Sequence, residues 1–310
     1  FTVGERQLLV LRGLDMGVDT GEMVAIVGIS GVGKSTILGM IARHSEADVN
    51  VIALVGERGK EVLDFIEDSL GEAGRRRSVV VVATSEQPAL IRLKAALTAT
   101  TIAEYFRDQG KNVMLMMDSV TRVAMAQREI GLAAGEPPTT KGYTPSVFAL
   151  LPRLLERAGN TMDGSITGLY TVLVEGDEMD DPIADATRAI LDGHLVLSRR
   201  LAPRGHYPPV DVMESISRSM KDVVSPAHWE RSLEIKSMLA AYAEAEDLVN
   251  IGAYARGSNP RIDRALEFIE PIEEFLKQSS SDSDRLDHNV QRFMGLLEPP
   301  AVAPAPPEGS

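Results

Sequence analysis

Short runs of apolar residues alternate with segments of helical spacing through the first two thirds of the chain. An uninterrupted apolar run of this length is typical of a strand that is buried on both faces. We expect strands at residues 23–27, 51–55, 79–83, 113–117, 166–174 and 194–197. Helical spacing predicts helices at residues 35–43, 88–107, 120–134 and 145–157. This alternation predicts an α/β fold with a mostly parallel sheet that is covered by helices on both faces.

The pattern changes near residue 221, after which strand-like runs stop. Helical spacing at 228–245, 262–278 and 286–297 predicts a small all-α domain, with a polar linker at 279–284 before the last helix. We therefore expect three parts: an α/β domain at 1–220, a C-terminal helical domain at 221–297, and a disordered tail rich in Pro and Ala at 298–310.

Composition narrows the classes of function. The 310 residues can form one large core and a smaller domain. A formal net charge of −13 argues against a surface that binds nucleic acid, because phosphate neutralisation needs clustered Lys and Arg. We interpret the one dense basic run, at residues 75–77, as a solvated turn. The absence of cysteine excludes disulfides and thiolate metal sites.

Neither a membrane span nor a secretory leader is expected. No apolar run approaches the roughly 20 residues that cross a bilayer, and no signal peptide is visible at the start. The chain begins with Phe1 rather than Met and enters a strand pattern within a few residues. We expect it to be an excised fragment.

The segment GISGVGKS at residues 28–35 fits the phosphate-binding pattern G-x-x-x-x-G-K-[ST] between a predicted strand and a predicted helix. Its glycines let backbone N–H groups turn toward an anion at the positive end of the helix dipole. Lys34 is expected to reach the β- and γ-phosphates of a nucleotide, and Ser35 to offer its hydroxyl to Mg²⁺. The alternative, an ordinary glycine-rich turn, is disfavoured by four fixed residues in this context.

Two carboxylates follow predicted strands. Asp118 ends the apolar run 113–117, and Glu57 comes shortly after the run 51–55. The carboxyl ends of parallel strands meet at one edge of a sheet, so both should lie beside the phosphate loop. There Asp118 is placed to hold Mg²⁺ through a water, and Glu57 to polarise a water in line with the γ-phosphate. A solvated carboxylate at a helix start is the alternative for Glu57 and for Glu61, four residues on.

Longer stretches carry a resemblance to one family. They include GERGKE at 56–61, ATSEQPALIRLKAALTATTIAEYFRDQGKNV at 83–113, MMDSVTR at 116–122, GEPPTTKGYTPSVFALLPRLLERAG at 135–159, GSITGLYTVLVEGDEMDDPIADATRAILDGHLVLSR at 164–199, GHYPPVDVMESISR at 205–218 and GAYARGSNPRID at 252–263. The chain resembles the export ATPases of bacterial flagella and type III secretion systems, slightly more the flagellar branch. That family is homologous to the catalytic subunit of rotary ATP synthases. The resemblance implies a RecA-like P-loop NTPase core that binds ATP and Mg²⁺.

The resemblance also implies roles for single residues. Glu57 resembles the catalytic glutamate that orients the attacking water, and Arg122 an arginine near the γ-phosphate. Arg218 resembles an arginine finger that enters a neighbouring subunit's site, or else it forms a surface salt bridge. The implied Mg²⁺ residues are Ser35, Glu61 and Asp118. The implied nucleotide-binding residues are Gly28, Ser30, Gly31, Val32, Gly33, Lys34, Ser35, Thr36 and Tyr207, the last stacking on adenine or else filling a loop corner.

For partners, the resemblance implies a homo-hexameric ring, stalk and regulator proteins of an export apparatus, and exported protein substrates. It implies a cytoplasmic location, peripheral to the inner membrane at most, with the loop 135–143 facing the ring's central channel.

Two departures from the family open alternatives. Residues 1–30 resemble the opening strands of an ABC-transporter ATPase, although no LSGGQ-type signature follows. No stretch of the given residues resembles the N-terminal β-barrel that helps to hold the family's ring together, so we expect this chain to lack the barrel. A nucleotide-binding module with little turnover is therefore an alternative to an export ATPase. The acidic stretch 175–185 lacks calcium-loop spacing, so we expect a solvated loop with Asp181 and Pro182 opening a helix.

Overall fold

The computed structural model describes residues 8–9, 17–18, 21–29, 31–174, 181–280, 282 and 284–298. Its strands are β1 (Leu8–Leu9), β2 (Gly17–Val18), β3 (Met23–Gly28), β4 (Val49–Val55), β5 (Ser78–Ala83), β6 (Asn112–Asp118), β7 (Gly159–Asn160), β8 (Ser165–Leu173), β9 (Gly193–Leu197) and β10 (Val210–Ser217). Its helices are α1 (Lys34–His44), α2 (Gly59–Asp64), α3 (Gly71–Arg75), α4 (Ala89–Arg107), α5 (Val120–Ala133), α6 (Pro145–Leu155), α7 (Pro182–Ile190), α8 (Met220–Val223), α9 (Pro226–Asn250), α10 (Pro260–Phe275) and α11 (Leu286–Gly295). A π-helical turn, Phe65–Ser69, joins α2 to α3.

One large sheet has the order β10-β9-β3-β8-β6-β4-β5. The pairs from β9 through β5 are parallel, whereas β10 runs antiparallel to β9 at one edge. The successive residues Val24 to Val27 are all buried, and successive residues of a strand point to opposite faces. Both faces of the sheet are therefore covered, as the continuous apolar runs predict.

All six predicted strands are confirmed, and the predicted helices agree within a few residues at most ends. The sequence analysis missed β10, because only some of its residues are buried and its pairing with β9 shifts register between Asp211 and Ile216. Such an irregular edge strand has neither a clean alternation nor a continuous apolar run. Helix α9 is longer than predicted, since the Ser225 hydroxyl caps it by accepting from His228 N–H and Pro226 occupies its first position.

The interpretation of residues 75–77 as a solvated turn is wrong for Arg77. Its guanidinium donates to the carbonyl oxygens of Ala42, at 3.1 Å, and Arg43, at 2.9 Å, at the C-terminal end of α1. The last carbonyls of a helix lack partners within the helix and carry partial negative charge, so they attract a cation. Arg75 and Arg76 are exposed, as expected.

Helices α9, α10 and α11 share a second apolar cluster that includes Met238, Ile272, Phe275 and Phe293. The predicted domain boundary at residue 220 lies at the start of α8 and stays a prediction. The predicted tail, apart from Glu298, lies outside the described residues, as do residues 175–180 of the acidic stretch. Asp181 does open α7, since its carboxylate accepts from the N–H groups of Ile183 and Ala184. In the described part of the chain, no helix has both the length and the apolar character to cross a membrane.

Candidate functional site

The glycine-rich loop joins β3 to α1 as predicted. Gly31 has φ 81° and Gly33, which caps α1, has φ 102°, a region that residues with a side chain rarely adopt. A Cβ atom built on either glycine would meet no atom of the described residues within 4 Å, which leaves room there for a ligand. Val32 is buried and Thr36 is exposed, and Ser30 lies outside the described residues.

Lys34 is the first residue of α1 and is only 5% exposed. Its ammonium group donates to the carbonyl oxygens of Gly28, at 2.8 Å, and of Ile29. Burial lowers the pKa of Lys34 to about 8, although the charges of Asp118 and Glu57 oppose the shift. The side chain therefore lies along the inside of the loop, where it faces the two carboxylates that follow β4 and β6.

Ser35 and Asp118 are brought together. The Ser35 hydroxyl donates to Oδ2 of Asp118 at 3.0 Å, and Asp118 is 4% exposed at the end of β6. The other carboxylate oxygen, Oδ1, accepts from the Thr171 hydroxyl at 2.7 Å. A buried carboxylate needs such donors, because burial without hydrogen bonds is costly.

Glu57 lies between β4 and α2. Burial raises its pKa to about 8, and the charge of Asp118 and a hydrogen bond with Glu61 add to the rise, while the Arg122 charge opposes it. Oε1 of Glu57 is 3.9 Å from Nε of Arg122, an ion pair without a direct hydrogen bond. Gly56, with φ 75°, permits this approach, since a Cβ atom there would lie 2.8 Å from Cβ of Arg122.

Glu61 is exposed in the first turn of α2, and its Oε2 accepts from the Arg58 N–H at 3.4 Å. Because α2 begins at Gly59, Glu57 precedes the helix and does not share a helical face with Glu61. The two carboxyl groups nevertheless share the hydrogen bond that helps to raise the pKa of Glu57. Glu61 thus lies beside Glu57, and no contact between Glu61 and Ser35 or Asp118 is seen among the described residues.

Tyr207 lies on the same side of the sheet as the phosphate loop. It precedes β10, whose Val210 pairs with Leu197 at the carboxyl end of β9, and Gly28 packs against Leu197. The Tyr207 side chain is 56% exposed, and its carbonyl accepts from the Gln278 N–H at 2.8 Å. The ring is therefore available to a ligand.

Arg218 lies at the other end of the sheet. Ser217 pairs with Gly193, and Gly193 pairs with Val24 near the amino end of β3. The guanidinium of Arg218 donates to the carbonyl oxygens of Arg188, at 3.1 Å, and Ala189, at 3.4 Å, at the end of α7. The structure does not bring Arg218 to the phosphate loop of its own chain.

Two family models cover most of the chain. The nucleotide-binding domain of the ATP synthase alpha/beta family matches residues 16–217, and the T3SS EscN ATPase C-terminal domain matches residues 224–295. The chain belongs to the ATP synthase alpha/beta family. It is an ATPase of the branch that serves flagella and type III secretion, which confirms the predicted family and the RecA-like P-loop NTPase fold.

The relatives carry the corresponding names. A flagellum-specific ATP synthase of Bacillus subtilis is 57% identical over 95% of this chain, which spans 68% of that protein. A type 3 secretion system ATPase of Xanthomonas euvesicatoria is 52% identical over 91% of this chain and 63% of its own length. Among solved structures, assembled EscN of enteropathogenic E. coli superposes with a TM-score of 0.90 at 47% identity, covering 95% of this chain and 72% of EscN. EscN has also been solved in complex with its central stalk, EscO, with a TM-score of 0.88 at 46% identity over 94% of this chain and 71% of EscN.

The family match corrects one expectation. We expected residues 1–30 to resemble an ABC-transporter ATPase rather than this family, but the family model begins at residue 16. Residues 16–30 therefore belong to the match. An apolar strand before a phosphate loop is common to both ATPase classes, so its sequence alone does not distinguish them.

The residues present fit Mg²⁺ in this ATPase. Mg²⁺ is usually held by one or two carboxylates together with substrate phosphates rather than by an all-protein cage. Ser35 and Asp118 supply a hydroxyl and a carboxylate oxygen 3.0 Å apart beside the phosphate loop. Among the described residues there is no group of three or more His, Cys, Asp or Glu that could hold a metal ion.

Thr171 is the residue at this site that the sequence analysis missed. It stands in the run GLYTVLV, where its hydroxyl is the one aliphatic hydroxyl and the sequence analysis counted the residue as part of an apolar strand. That hydroxyl is the clue that could have drawn attention to it, because a buried polar group needs a partner.

Proposed function

We propose that this chain hydrolyses ATP with Mg²⁺ and that hydrolysis energises protein export by a flagellar or type III secretion apparatus. The observation that carries the proposal is the convergence of Lys34, Ser35, Asp118 and Glu57 at one edge of the parallel sheet beside the glycine loop. The names of the relatives, which are flagellar and type III secretion ATPases, support the export role.

In the proposed reaction, each side chain at the site has a separate role. The loop N–H groups and Lys34 bind the β- and γ-phosphates, and Ser35 and Asp118, with Glu61 nearby, hold Mg²⁺. When bound, Mg²⁺ neutralises charge on the β- and γ-phosphate oxygens. Glu57 orients a water and accepts its proton as the oxygen bonds to the γ-phosphorus and the β–γ bridging bond breaks. The products are ADP and phosphate.

Charge on the transferring group needs cations on more than one side. Lys34 and Arg122 supply two from the same chain, since Arg122 lies beside Glu57. Arg218 supplies a third to a neighbouring subunit. An arginine of this kind contributes roughly 10³–10⁵ in rate, so hydrolysis depends on assembly into a ring of six copies. The position of Arg218 at the sheet edge away from its own loop supports this role. Tyr207 stacks on adenine at the loop side.

The location and partners that we propose are based on the relatives. We place the ring in the cytoplasm, at the inner face of the membrane that carries the export apparatus. Its partners are a central stalk, as EscN has, regulator proteins and exported proteins.

One observation favours a second candidate. In a single chain, the Arg218 guanidinium is held on the carbonyl oxygens of α7. A chain that never assembles therefore binds nucleotide without the third cation and turns over little. Such a chain acts as a nucleotide-binding module.

Phosphate release against protein concentration separates the two candidates. An export ATPase that works as a ring shows specific activity rising steeply with concentration, while Glu57→Gln stays near zero throughout. A flat, near-zero rate for the unaltered chain, with ATP still bound, contradicts the export ATPase and supports the passive module.

A further inference from the structure

Thr171 is fully buried near the carboxyl end of β8, which lies between β3 and β6. Its hydroxyl oxygen lies 2.7 Å from Oδ1 of Asp118 and 3.3 Å from the carbonyl oxygen of Met117. A hydroxyl has one proton, and a charged acceptor at the shorter distance takes it. Thr171 therefore donates to the Asp118 carboxylate.

The Asp118 carboxylate is held at both oxygens by different elements. Oδ1 accepts from Thr171 on the neighbouring strand, and Oδ2 accepts from Ser35 in the first turn of α1. Within the described ranges, no other side chain donates to this carboxylate. The two bonds together fix the plane of a group that is 4% exposed.

The two donors are not equivalent. Ser35 is exposed on α1, at the phosphate loop, whereas Thr171 is enclosed by strand neighbours on both sides, with Ile26 of β3 as its register partner. A hydroxyl has one proton and two lone pairs, so the Ser35 oxygen is free to bind a metal ion while its proton stays on the carboxylate. Thr171 has no such second task, because it is enclosed within the sheet and gives its proton to Asp118.

We propose that Thr171 is a positioning residue for Mg²⁺, which keeps Oδ1 of Asp118 engaged so that Oδ2 faces the phosphate loop. This inference rests on the proposed function, in which Ser35 and Asp118 hold the ion. Outer partners of metal ligands commonly change metal affinity by about 10–100-fold when they are removed. Thr171 thus acts through Asp118 and touches neither nucleotide nor water.

The test compares hydroxyl removal with a matched control. Thr171→Val keeps the shape of the side chain and removes the donor, and Thr171→Ser keeps the donor. Thr187→Val is the control, because Thr187 is equally buried in α7 but its hydroxyl has no hydrogen-bond partner among the residues that the structure describes. Thr171→Ala removes the same hydroxyl and leaves a smaller side chain. It replaces Thr171→Val in the test if the valine variant unfolds at a clearly lower temperature than the wild type.

The readout is the affinity of the full chain for a fluorescent ADP, measured once with Mg²⁺ and once with EDTA. The ratio of the two dissociation constants reports how strongly the ion couples to the nucleotide. We expect this ratio to fall about tenfold in Thr171→Val, to recover in Thr171→Ser, and to match the wild type in Thr187→Val. Affinity in EDTA should stay unchanged in all three variants.

Three results overturn the inference. An unchanged ratio in Thr171→Val, or one that Thr171→Ser does not restore, removes Thr171 from the ion's site and leaves the proposed ATPase intact. A weaker affinity in EDTA, by the same factor as with Mg²⁺, shows that the hydroxyl only supports the strand. A wild-type ratio of one removes the Mg²⁺ role of Ser35 and Asp118 itself, and the inference fails together with that part of the proposed function.

Discussion

Gly28 and Arg218 lie at opposite ends of the same sheet. Gly28 ends β3 and opens the phosphate loop, whereas Arg218 follows the residue that pairs with Gly193, the partner of Val24. Gly28 lies four residue steps along the strand from Val24, which corresponds to roughly 13 Å. A chain with this geometry does not bring Arg218 to its own loop, and a role for Arg218 in hydrolysis requires a second chain.

Lys34→Ala should remove nucleotide binding. The variant loses a buried cation that faces the phosphate loop, and we expect ATP affinity to fall by at least about 100-fold, equivalent to about 2.7 kcal/mol. Isothermal titration measures it. Lys94→Ala is the control, because Lys94 is exposed on α4. Equal affinity in the two variants would remove Lys34 from the site.

Glu57→Gln should separate binding from turnover. The amide keeps the shape of the side chain but does not accept a proton, so kcat should fall by about 10²–10⁴. ATP affinity should stay within a few-fold of the wild type. Unchanged steady-state phosphate release in this variant contradicts the role of Glu57 as the group that activates water.

The pH dependence of kcat/KM should be bell-shaped with its maximum near pH 8. Glu57, with its pKa raised to about 8, gains its charge as the pH rises, so the rate increases through that range. Lys34, with its pKa lowered to about 8, loses its charge over the same range, so phosphate binding weakens above it. The two groups are close in space, and the measured values belong to the pair. A profile that is flat from pH 6 to pH 9 contradicts this assignment.

Gly39→Ala should destabilise the fold although alanine favours helices. A Cβ atom at Gly39 in α1 would lie 2.7 Å from Cβ and 2.8 Å from the carbonyl oxygen of Ser69, in the π-helical turn. Overpacking of this kind costs about 1–3 kcal/mol. Urea unfolding measures it. Gly295→Ala is the matched control, since no atom of the described residues lies within 4 Å of its Cβ position in α11. An equal change in the free energy of unfolding for Gly39→Ala and Gly295→Ala would contradict the close contact between α1 and the π-helical turn.

Acid should destabilise the fold through two buried histidines. Burial lowers the pKa values of His194 and His206 below the unfolded value, so the unfolded chain binds more protons in that range. Their contribution to stability is complete above the unfolded pKa and is lost as the pH falls toward the folded pKa. The midpoint of urea unfolding should therefore drop between pH 7 and pH 5. The drop should be smaller in the double variant that combines His194→Gln and His206→Gln. The same drop in the double variant removes the histidines from this effect.

The sequence predicts the sheet and the loop-side residues for one physical reason. Continuous apolar runs identify parallel strands, and the residue after each run, such as Asp118, falls at the carboxyl edge. Such runs do not predict which distant segments of the chain contact each other. Thr171 on Asp118, and Arg77 on the end of α1, depend on register and packing, which only the folded chain fixes. The edge strand β10 was missed because partial exposure leaves it without a regular pattern.

The most direct test of the central claim mixes two inactive variants, Glu57→Gln and Arg218→Ala. Under the proposed mechanism each alone should hydrolyse ATP at a small fraction of the wild-type rate, because one lacks the group proposed to activate water and the other lacks the cation proposed to enter a neighbour's site. In an equal mixture, about a quarter of the interfaces in a head-to-tail ring join an intact Glu57 to an intact Arg218 from the next chain. We predict that phosphate release then recovers toward a quarter of the wild-type rate. A mixture no more active than the sum of its two components would contradict a site completed between chains.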